Sequence, residues 1–412
     1  MASYLSISKT PTVAGTVLKL SSSKSISNRA LILKALSGNQ SVVRNLSNAR
    51  DTQTMNRLVG SEDKLIDVLD AGTTMRFLTA YFAISGKNKI ITGTARMKER
   101  PIGILVDALR AIGATIDYVE NEGFPPIETK GFARQKTDQI EIPGNVSSQY
   151  ISALMMIAPT LPLGLTINLT GKTGSVPYIQ MTAALMKEFG VACHLDFEKQ
   201  IIQVPSASYH AASITVEADW SAISYWYGFT ALAEQATITL PNVSEKSLQG
   251  DRVIADIMEW LGVKSTFANN TLVLTRKDHL NSIIWDFKDC PDLAQTVLPV
   301  CAAKGISGEF AGLESLLIKE TDRIAALQNE LSKIGATLTE PQTGKWILTP
   351  GNISGEPISI ETYHDHRMAM GLAPLATKTD LIIKDPSVVN KSYPGFWEDM
   401  KTVGFTIAVM EA

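Results

Sequence analysis

The hydrophobic positions of this chain follow a pattern that repeats about every 70 residues. An amphipathic helical segment, then a glycine, then a strand-like run of alternating apolar residues occurs five times. The five glycines are Gly113, Gly190, Gly262, Gly335 and Gly404. Because glycine readily adopts the left-handed conformation that closes the last turn of a helix, the pattern predicts five helices that each end at one of these glycines.

A second series of predicted helices runs out of phase with the first. These helices are rich in Ala and Leu on all sides, and each begins at a cluster of Ser, Thr, Asp or His residues. The clusters lie near Ser27, Thr73, Ser148, Ser221, Asp292 and His366. Helices that are apolar all round are buried in a protein core. We therefore expect only their N-terminal ends to face polar surroundings.

Together the two series predict six α/β repeats, each with two helices and several strands. Six repeats group naturally as three plus three, which predicts two similar α/β domains with a cleft between them. The interval from Ser27 to Thr73 is 46 residues, whereas the later intervals all exceed 70. We therefore expect the first repeat to lack a piece about the size of a β-hairpin.

Composition and charge narrow the possible functions. Of the 412 residues, 45% are apolar and 19% are charged, as in folded globular proteins of more than one domain. Lys plus Arg (38) nearly balance Asp plus Glu (41), which argues against a surface for nucleic acid or an anionic membrane. The most apolar stretch, residues 154–169, is interrupted by Pro and Gly, so we expect a cytoplasmic protein without a membrane span.

The three cysteines, Cys193, Cys290 and Cys301, are an odd number without metal-binding spacing, so neither a disulfide framework nor a zinc site is expected.

Several predicted helix starts combine hydroxyl side chains with Lys or Arg. They are residues 21–29, 70–76, 96–103, 147–150, 319–323 and 363–370. Free backbone N–H groups and cations at a helix start favour phosphate or carboxylate binding. Each segment by itself is also explained by an ordinary N-cap or a solvated run of charge. The set as a whole predicts a site, shared by both domains, for ligands with several negative charges.

Two carboxylates accompany these cations. Asp292 lies at the entrance of a buried helix, and Glu320 follows Lys319 in a segment that is predicted to place Lys319 and Arg323 on one helical face. Such carboxylates could transfer protons, although caps and intrahelical ion pairs are the simpler interpretation of either segment alone.

His364 and His366 are only two residues apart beside Arg367, so an anion-binding helix start is favoured there over a metal site.

The motif strings as a set resemble those of the enolpyruvyl transferase family, in particular the branch that acts on shikimate 3-phosphate. The strings are SKSISNRA, DAGTTMRFLTA, RMKERPIG, VSSQY, SVPY, PDLA, KETDR and DHRMAM, in the family's order. The resemblance covers nearly the whole chain and implies a two-domain inside-out α/β barrel of six βαβαββ-type repeats, with the first truncated. It implies that the first strand returns to the second domain, so that residues 19–221 form one domain and residues 1–18 with 222–412 the other, with the active site in the interdomain cleft.

The resemblance also assigns residues to two substrates. Shikimate 3-phosphate is expected to contact Lys24, Ser25, Arg29, Ser147, Ser148, Gln149, Ser175, Tyr178, Asp292, Ser315 and Lys319. Phosphoenolpyruvate is expected to contact Lys24, Gly72, Arg100, Gln149, Arg323, Arg367 and Lys391. The implied catalytic residues are Asp292 and Lys319 for the hydroxyl proton, Glu320 for the methylene proton, and Lys24. No metal or organic cofactor is implied, and we expect a monomer whose partners are these two small molecules.

The chain departs from the family pattern at two positions. Phe77 stands where a proline is usual after the arginine of the GTxMR string, and Ser315 stands where many members have asparagine.

Alternatives remain open at this stage. A UDP-N-acetylglucosamine 1-carboxyvinyltransferase would need a loop cysteine, which residues 96–103 lack. A non-catalytic module that binds phosphorylated ligands would not need Asp292 and Glu320 beside the cations. An RNA 3′-phosphate cyclase would favour a basic surface, which the balanced charge does not provide.

Overall fold

A computed structural model describes residues 3–411 of the chain. The helices are α1 (Lys24–Leu36), α2 (Arg50–Leu58), α3 (Gly72–Ile84), α4 (Ala95–Lys98), α5 (Gly103–Ile112), α6 (Ser148–Ile157), α7 (Val176–Glu188), α8 (Trp220–Leu232), α9 (Ile254–Trp260), α10 (Ala294–Lys304), α11 (Arg323–Ser332), α12 (His366–Leu372) and α13 (Phe396–Thr402). The first strands are β1 (Ser3–Ile7), β2 (Thr12–Thr16), β3 (Val42–Arg44), β4 (Leu65–Asp67), β5 (Lys89–Thr92), β6 (Ala114–Tyr118), β7 (Ile127–Phe132), β8 (Gln139–Pro143), β9 (Leu165–Thr170), β10 (His194–Asp196), β11 (Ile201–Val204) and β12 (Ser213–Thr215). The remaining strands are β13 (Gln235–Pro241), β14 (Val263–Ala268), β15 (Thr271–Arg276), β16 (Ser282–Asp286), β17 (Ser307–Ala311), β18 (Thr337–Gln342), β19 (Lys345–Thr349), β20 (Ile358–Ile360), β21 (Leu381–Lys384) and β22 (Ile407–Glu411).

The chain forms two compact domains. The N domain is Ser23–Val216, and the C domain contains the described parts of Met1–Ser22 and Glu217–Ala412. The C domain therefore contains both ends of the described chain, since β1 pairs with β22 near the C-terminus and β2 pairs with β13.

One strand order recurs in five sheets. Each has a parallel pair of strands whose second member also pairs with an antiparallel pair, which is a hairpin in four of the sheets and is formed by β1 and β22, from opposite ends of the described chain, in the fifth. The orders are β4-β5-β7-β6 and β8-β9-β11-β10 in the N domain, and β2-β13-β15-β14, β16-β17-β19-β18 and β20-β21-β1-β22 in the C domain. A sixth sheet holds only the parallel pair β3 and β12, with Val43 opposite Ile214. The mixed α/β fold and the truncated first repeat are thus as predicted, because this sheet lacks the hairpin.

The helices of the second series form the interior of each domain. In the N domain α1, α3 and α6 pack against one another, and in the C domain α8, α10 and α12 do the same. Every residue of α8 except Ser221 is buried. The prediction that these helices are buried is therefore confirmed, and polar residues concentrate at their N-terminal ends, where free N–H groups need partners.

The helices of the first series end as their glycines predict. Gly113, Gly190, Gly262, Gly335 and Gly404 all have positive φ, between +73° and +126°. Three of these helices pack against a strand, α5 against β6, α9 against β14 and α11 against β18, whereas α7 packs against the core helices α6 and α1.

No helix in residues 3–411 is long and apolar enough to cross a membrane.

Replacing Gly113 by alanine should destabilise the N domain. Its φ is +126°, and an added Cβ would lie 2.2 Å from the Arg134 carbonyl oxygen. We expect a loss of at least about 2 kcal/mol in the free energy of unfolding, measured by urea denaturation. Gly60→Ala is the control, because an added Cβ there meets nothing within 4 Å. An equal effect of both substitutions would contradict this explanation of the glycine.

Candidate active site

The C domain contains a buried network of cations and carboxylates centred on Arg323, the first residue of α11. Its guanidinium donates to Asp365 at 2.7 Å, to Asp292 at 2.9 Å and to Glu320 at 2.9 Å. Arg323 is 1% exposed. Burial by itself would lower the pKa of this arginine, but the three carboxylates outweigh burial and raise it. Arg323 therefore fixes the positions of both carboxylates that the sequence singles out for proton transfer.

Asp292 is held by cations from three directions. It lies in the 3₁₀-helix Pro291–Leu293 before α10, and its second carboxylate oxygen accepts from Arg367 at 2.9 Å. Lys319 is 3.7 Å away. Burial would raise the pKa of Asp292, but Arg367, Lys319 and Arg323 together hold it well below its ordinary range. The carboxylate is therefore ionised near neutral pH.

Lys391 and Ser315 complete this cluster. Lys391 is 1% exposed and lies 3.5 Å from Glu320. The hydroxyl of Ser315, in the 3₁₀-helix Glu314–Ile318 that leads to Lys319, is buried and has no hydrogen-bond partner within residues 3–411. We call Asp292, Ser315, Lys319, Glu320, Arg323, Asp365, Arg367 and Lys391 the C-domain cluster.

One prediction for this segment is wrong. Lys319 and Arg323 do not share a helical face, because α11 begins only at Arg323 and Asp322 caps it by accepting from two backbone N–H groups. Lys319 instead follows the 3₁₀-helix Glu314–Ile318. The two cations are nevertheless brought together by Asp292, which both of them approach.

A strained turn presents Asp365 and Arg367. Tyr363 and His364 both have positive φ, at +52° and +55°, which is uncommon for residues with side chains. Asp365 then caps α12 by accepting from the Arg367 backbone N–H at 2.9 Å. His366 is 1% exposed beside Asp365. Across the described part of the chain no group of three His, Cys, Asp or Glu side chains is arranged to hold a metal ion.

In the N domain, Lys24 and Asp51 form an ion pair. Lys24 is the first residue of α1, and its ammonium lies 3.1 Å from the carboxylate of Asp51 in α2. The Asp51 side chain is only 4% exposed, and its other oxygen has no hydrogen-bond partner among residues 3–411. The sequence analysis missed Asp51. The available signal was an acidic residue in the first turn of a helix, which is too common to be specific.

Arg29 is a buried cation that has no carboxylate partner among the described residues. It donates to Thr182 at 2.8 Å and to Ser152 at 3.0 Å, and it is 2% exposed. Its guanidinium lies 5.4 Å from the ring centre of Phe77 and 6.0 Å from that of Tyr178. Burial lowers the pKa of Arg29 to about 10, although Tyr178 opposes the shift. The aromatic residue that replaces the family's proline thus supports a predicted ligand arginine.

Arg100 lies against the start of α3. A Cβ added to Gly72 would be 2.7 Å from one guanidinium nitrogen of Arg100 and 2.9 Å from the other. Arg100 is only 9% exposed, and its Nε has no hydrogen-bond partner in the described residues. Glycine at position 72 is therefore required so that this cation can approach the helix N-terminus.

The remaining predicted residues of the N domain lie at the starts of α6 and α7. Ser147 caps α6, and Gln149 in its first turn donates to Thr73 of α3 at 3.1 Å. Ser148 begins α6 and is 8% exposed. Ser175 precedes α7 with φ of +54°. Tyr178 lies near Arg29, which also donates to the Ser25 carbonyl at 3.0 Å.

We call the corresponding residues of this domain the N-domain cluster. They are Lys24, Ser25, Arg29, Asp51, Gly72, Arg100, Ser147, Ser148, Gln149, Ser175 and Tyr178.

Each cluster is thus suited to anionic ligands. In the C-domain cluster four cations face three carboxylates, and the carboxylates are held next to the cations. In the N-domain cluster, Arg29 and Arg100 are cations without a carboxylate within ion-pair distance in the described chain. Preorganised cations bind phosphates and carboxylates and stabilise charge in a reaction. The fold and the clusters define an α/β protein that is suited to anionic small molecules, with carboxylates held beside the cations.

Comparisons with known proteins agree with this class. Residues 7–61 and 56–400 match the family model for EPSP synthase (3-phosphoshikimate 1-carboxyvinyltransferase). A 3-phosphoshikimate 1-carboxyvinyltransferase of Bacteroides fragilis is 46% identical over 97% of this chain and 98% of its own length. One of Aliivibrio salmonicida is 35% identical over 93% and 96% of the two chains. The chain belongs to the EPSP synthase family.

The solved structures support the same fold. An EPSP synthase of Acinetobacter baumannii superposes with a TM-score of 0.77, covering 100% of both chains at 19% identity. The family resemblance predicted from the motif strings is thus confirmed.

Replacing Gly72 by alanine should displace Arg100. Because the new methyl group would overlap the guanidinium, the cation must leave the start of α3. We expect the KM for an anionic substrate held there to rise at least about tenfold, because a charge-assisted contact contributes roughly 1.5–3 kcal/mol. Steady-state kinetics would measure this change, with Gly60→Ala as the control. An unchanged KM would show that Arg100 does not act from this position.

Proposed function

We propose that the N-domain and C-domain clusters together carry out the reaction after which the family is named. That reaction transfers the carboxyvinyl group of phosphoenolpyruvate to the 5-hydroxyl of shikimate 3-phosphate and releases phosphate. It belongs to the shikimate pathway, which leads to chorismate and the aromatic amino acids. The observation that carries the proposal is that the Arg323 guanidinium donates hydrogen bonds to both Asp292 and Glu320, which lie next to further cations.

The charges of the substrates match the clusters. Each substrate carries a phosphate and a carboxylate, so both need several cations or hydroxyl donors. We assign shikimate 3-phosphate to Lys24, Ser25, Arg29, Ser147, Ser148, Gln149, Ser175, Tyr178, Asp292, Ser315 and Lys319. We assign phosphoenolpyruvate to Lys24, Gly72, Arg100, Gln149, Arg323, Arg367 and Lys391. The buried hydroxyl environment of Arg29 supports the first assignment, and the unpartnered Nε of Arg100 supports the second.

The proposed chemistry is addition followed by elimination. The 5-hydroxyl oxygen bonds to C2 of phosphoenolpyruvate as its proton passes to Asp292, assisted by Lys319, while C3 gains a proton from Glu320. In the second step the bond between C2 and the phosphate oxygen breaks, and Glu320 removes a proton from C3. The proton that Asp292 accepted passes to the departing phosphate, which leaves as hydrogen phosphate, and the carboxyvinyl ether remains. Lys24 would stabilise the negative charge of the phosphates during both steps.

The charged groups around Asp292 determine when it can act as a base. Its pKa is held low by Arg367, Lys319 and Arg323, so it is ionised but weakly basic without ligand. Anionic substrates would compete with Asp292 for these cations and so raise its pKa, which makes it a better base when the site is occupied. Arg323 already donates to three carboxylates, and we propose that it acts on phosphoenolpyruvate mainly through its charge.

We also make a proposal about the oligomeric state, the cellular location and the cofactors of the protein. All the assigned residues come from one chain, so a monomer can supply a complete set. We propose a cytoplasmic monomer that needs neither metal nor organic cofactor. Size-exclusion chromatography with light scattering would test the monomer.

The decisive experiment is a phosphate-release assay with the purified chain. We expect release only when shikimate 3-phosphate and phosphoenolpyruvate are both present, and we expect chelators to leave the rate unchanged. Product analysis should show the carboxyvinyl ether. Release with UDP-N-acetylglucosamine in place of shikimate 3-phosphate would favour the related transferase, and binding of the ligands without turnover would favour a non-catalytic module.

Lys24→Met should lower kcat/KM by about 10²-fold or more while the protein stays folded, because it removes a charge at a helix start rather than core volume. The matched control is Lys401→Met, which removes a half-exposed lysine paired with Glu398. Kinetics and circular dichroism would be recorded for both. Equal rates for the two variants would refute the assignment of Lys24.

Glu320→Gln should slow proton transfer at C3 by about 10²- to 10⁴-fold, the usual range for loss of a general acid or base. Deuterium incorporation from D₂O into the methylene group would follow this step directly. Glu314→Gln, at an exposed position at the start of the preceding 3₁₀-helix, is the control. Unchanged deuterium incorporation in Glu320→Gln would remove this residue from the mechanism.

A further inference from the structure

Ser221 is the one residue of α8 in the C domain that is not fully buried. Every other residue of α8 is buried, and Ser221 lies in its first turn. Its hydroxyl donates a short hydrogen bond to the carboxylate of Asp251. The same hydroxyl oxygen accepts from the Arg367 guanidinium at 3.3 Å. Ser221 therefore connects a carboxylate to an arginine of the C-domain cluster.

Asp251 lies outside every motif that the sequence analysis used. It belongs to the 3₁₀-helix Gly250–Val253 and is 2% exposed. The next residue, Arg252, points elsewhere, because it pairs with Asp256 at 2.8 Å in a more exposed position. A buried carboxylate carries a substantial desolvation cost, so its presence behind Arg367 needs an explanation.

We propose that Asp251 is a positioning residue that orients Arg367 through the hydroxyl of Ser221. An ionised carboxylate can only accept hydrogen bonds, so it fixes the Ser221 proton toward itself. The lone pairs of the serine oxygen are then directed at Arg367. The arginine also donates to Asp292 at 2.9 Å and to the Tyr225 hydroxyl at 3.4 Å. Three acceptors, Asp292, Tyr225 and Ser221, therefore fix the plane of the Arg367 guanidinium.

A protonated Asp251 would lose this effect. Its carboxylic acid could donate to the Ser221 oxygen and so compete for the lone pair that Arg367 uses. The titratable and charged groups that act on it are Asp219, Cys290, Asp292 and Arg367. Burial raises the pKa of Asp251 to about 6, with Asp292 adding to the shift and Arg367 opposing it. The orienting hydrogen bond is therefore expected to weaken as the pH falls below about 6.

The inference rests on the proposed function, in which Arg367 binds phosphoenolpyruvate. Ser221→Ala removes the connecting hydroxyl. We expect the KM for phosphoenolpyruvate to rise about three- to tenfold, the usual effect of one hydrogen bond. Both kcat and the KM for shikimate 3-phosphate should change less than about twofold, because Asp292 stays paired with Arg323 and Lys319 when Arg367 is misaligned.

The matched control for Ser221→Ala is Ser224→Ala. Ser224 lies on the same helix and is fully buried. It donates to the Ser221 carbonyl at 2.7 Å and shares a hydrogen bond of 3.0 Å with the Thr296 hydroxyl, so its contacts belong to the packing of the helix. Thermal unfolding of both variants would separate a general loss of stability from a change in the site. If Ser224→Ala raised the KM for phosphoenolpyruvate as much as Ser221→Ala, the effect would be structural and the inference wrong.

Asp251→Asn tests the ionised carboxylate itself. Asparagine resembles the protonated acid, so the ratio of its KM for phosphoenolpyruvate to that of the unsubstituted protein should be about fivefold at pH 8 and fall toward one at pH 5. Because the ratio is taken at equal pH, titration of the substrates' own phosphates cancels. A ratio independent of pH would overturn the role of the ionised form.

The double variant S221A/D251N isolates the connection. If Asp251 acts through Ser221, the double variant should have the KM of Ser221→Ala alone, whereas independent effects would multiply. Multiplying effects would contradict the inference. Failure of the proposed function would look different, because the unsubstituted protein would then release no phosphate from the two substrates, whereas failure of this inference leaves that activity intact.

Discussion

Each domain buries helices that are apolar on almost every side, and this constraint shapes the protein's chemistry. Because α8, α10 and α12 pack against one another, their sides offer no place for charge. In these three helices lysine and arginine occur only in terminal turns, with Arg367 at the start of α12 and Lys304 at the end of α10. There the free N–H groups require acceptors, and cations and carboxylates gather in the same small volume. Burial strengthens the interactions among these charges, so they hold one another in fixed positions.

The C-domain cluster shows the consequence most clearly. Arg323 and Asp365 are both almost fully buried, and neither would be tolerated alone. Their pairing fixes the turn that carries Arg367, while the same guanidinium holds Asp292 and Glu320. The carboxylates proposed for proton transfer are thus positioned by a group whose own geometry is set by a further buried carboxylate. This arrangement explains how carboxylates can be held in place within a site for anionic ligands.

The N-domain cluster differs, because among the described residues only Lys24 has a carboxylate partner there, Asp51, whereas Arg29 and Arg100 have none within ion-pair distance. Arg29 is stabilised by the hydroxyls of Thr182 and Ser152 and by the faces of Phe77 and Tyr178. Neutral partners leave its charge uncompensated, so an anionic ligand gains more from it. Phe77 is the chain's own departure from the family pattern, and the structure gives it a physical role beside this arginine. Arg100 relies instead on the missing side chain of Gly72.

Much of the architecture could be read from the sequence, because it depends on local patterns. The 70-residue period, the glycines with positive φ, the buried second series of helices and the shortened first repeat all follow from side-chain periodicity and from backbone conformations that only glycine readily adopts. The motif strings likewise identified the family.

Contacts between residues far apart in the chain could not be read in this way. The pairing of Lys24 with Asp51 and the link from Asp251 through Ser221 to Arg367 exist only because separate helix starts pack together. The sequence even suggested a helical face for Lys319 and Arg323 that the capping of α11 by Asp322 prevents. Local chemistry therefore determined which residues could form elements and bind anions, whereas tertiary packing decided which charges meet, since electrostatic partners depend on distance in space rather than on separation along the chain.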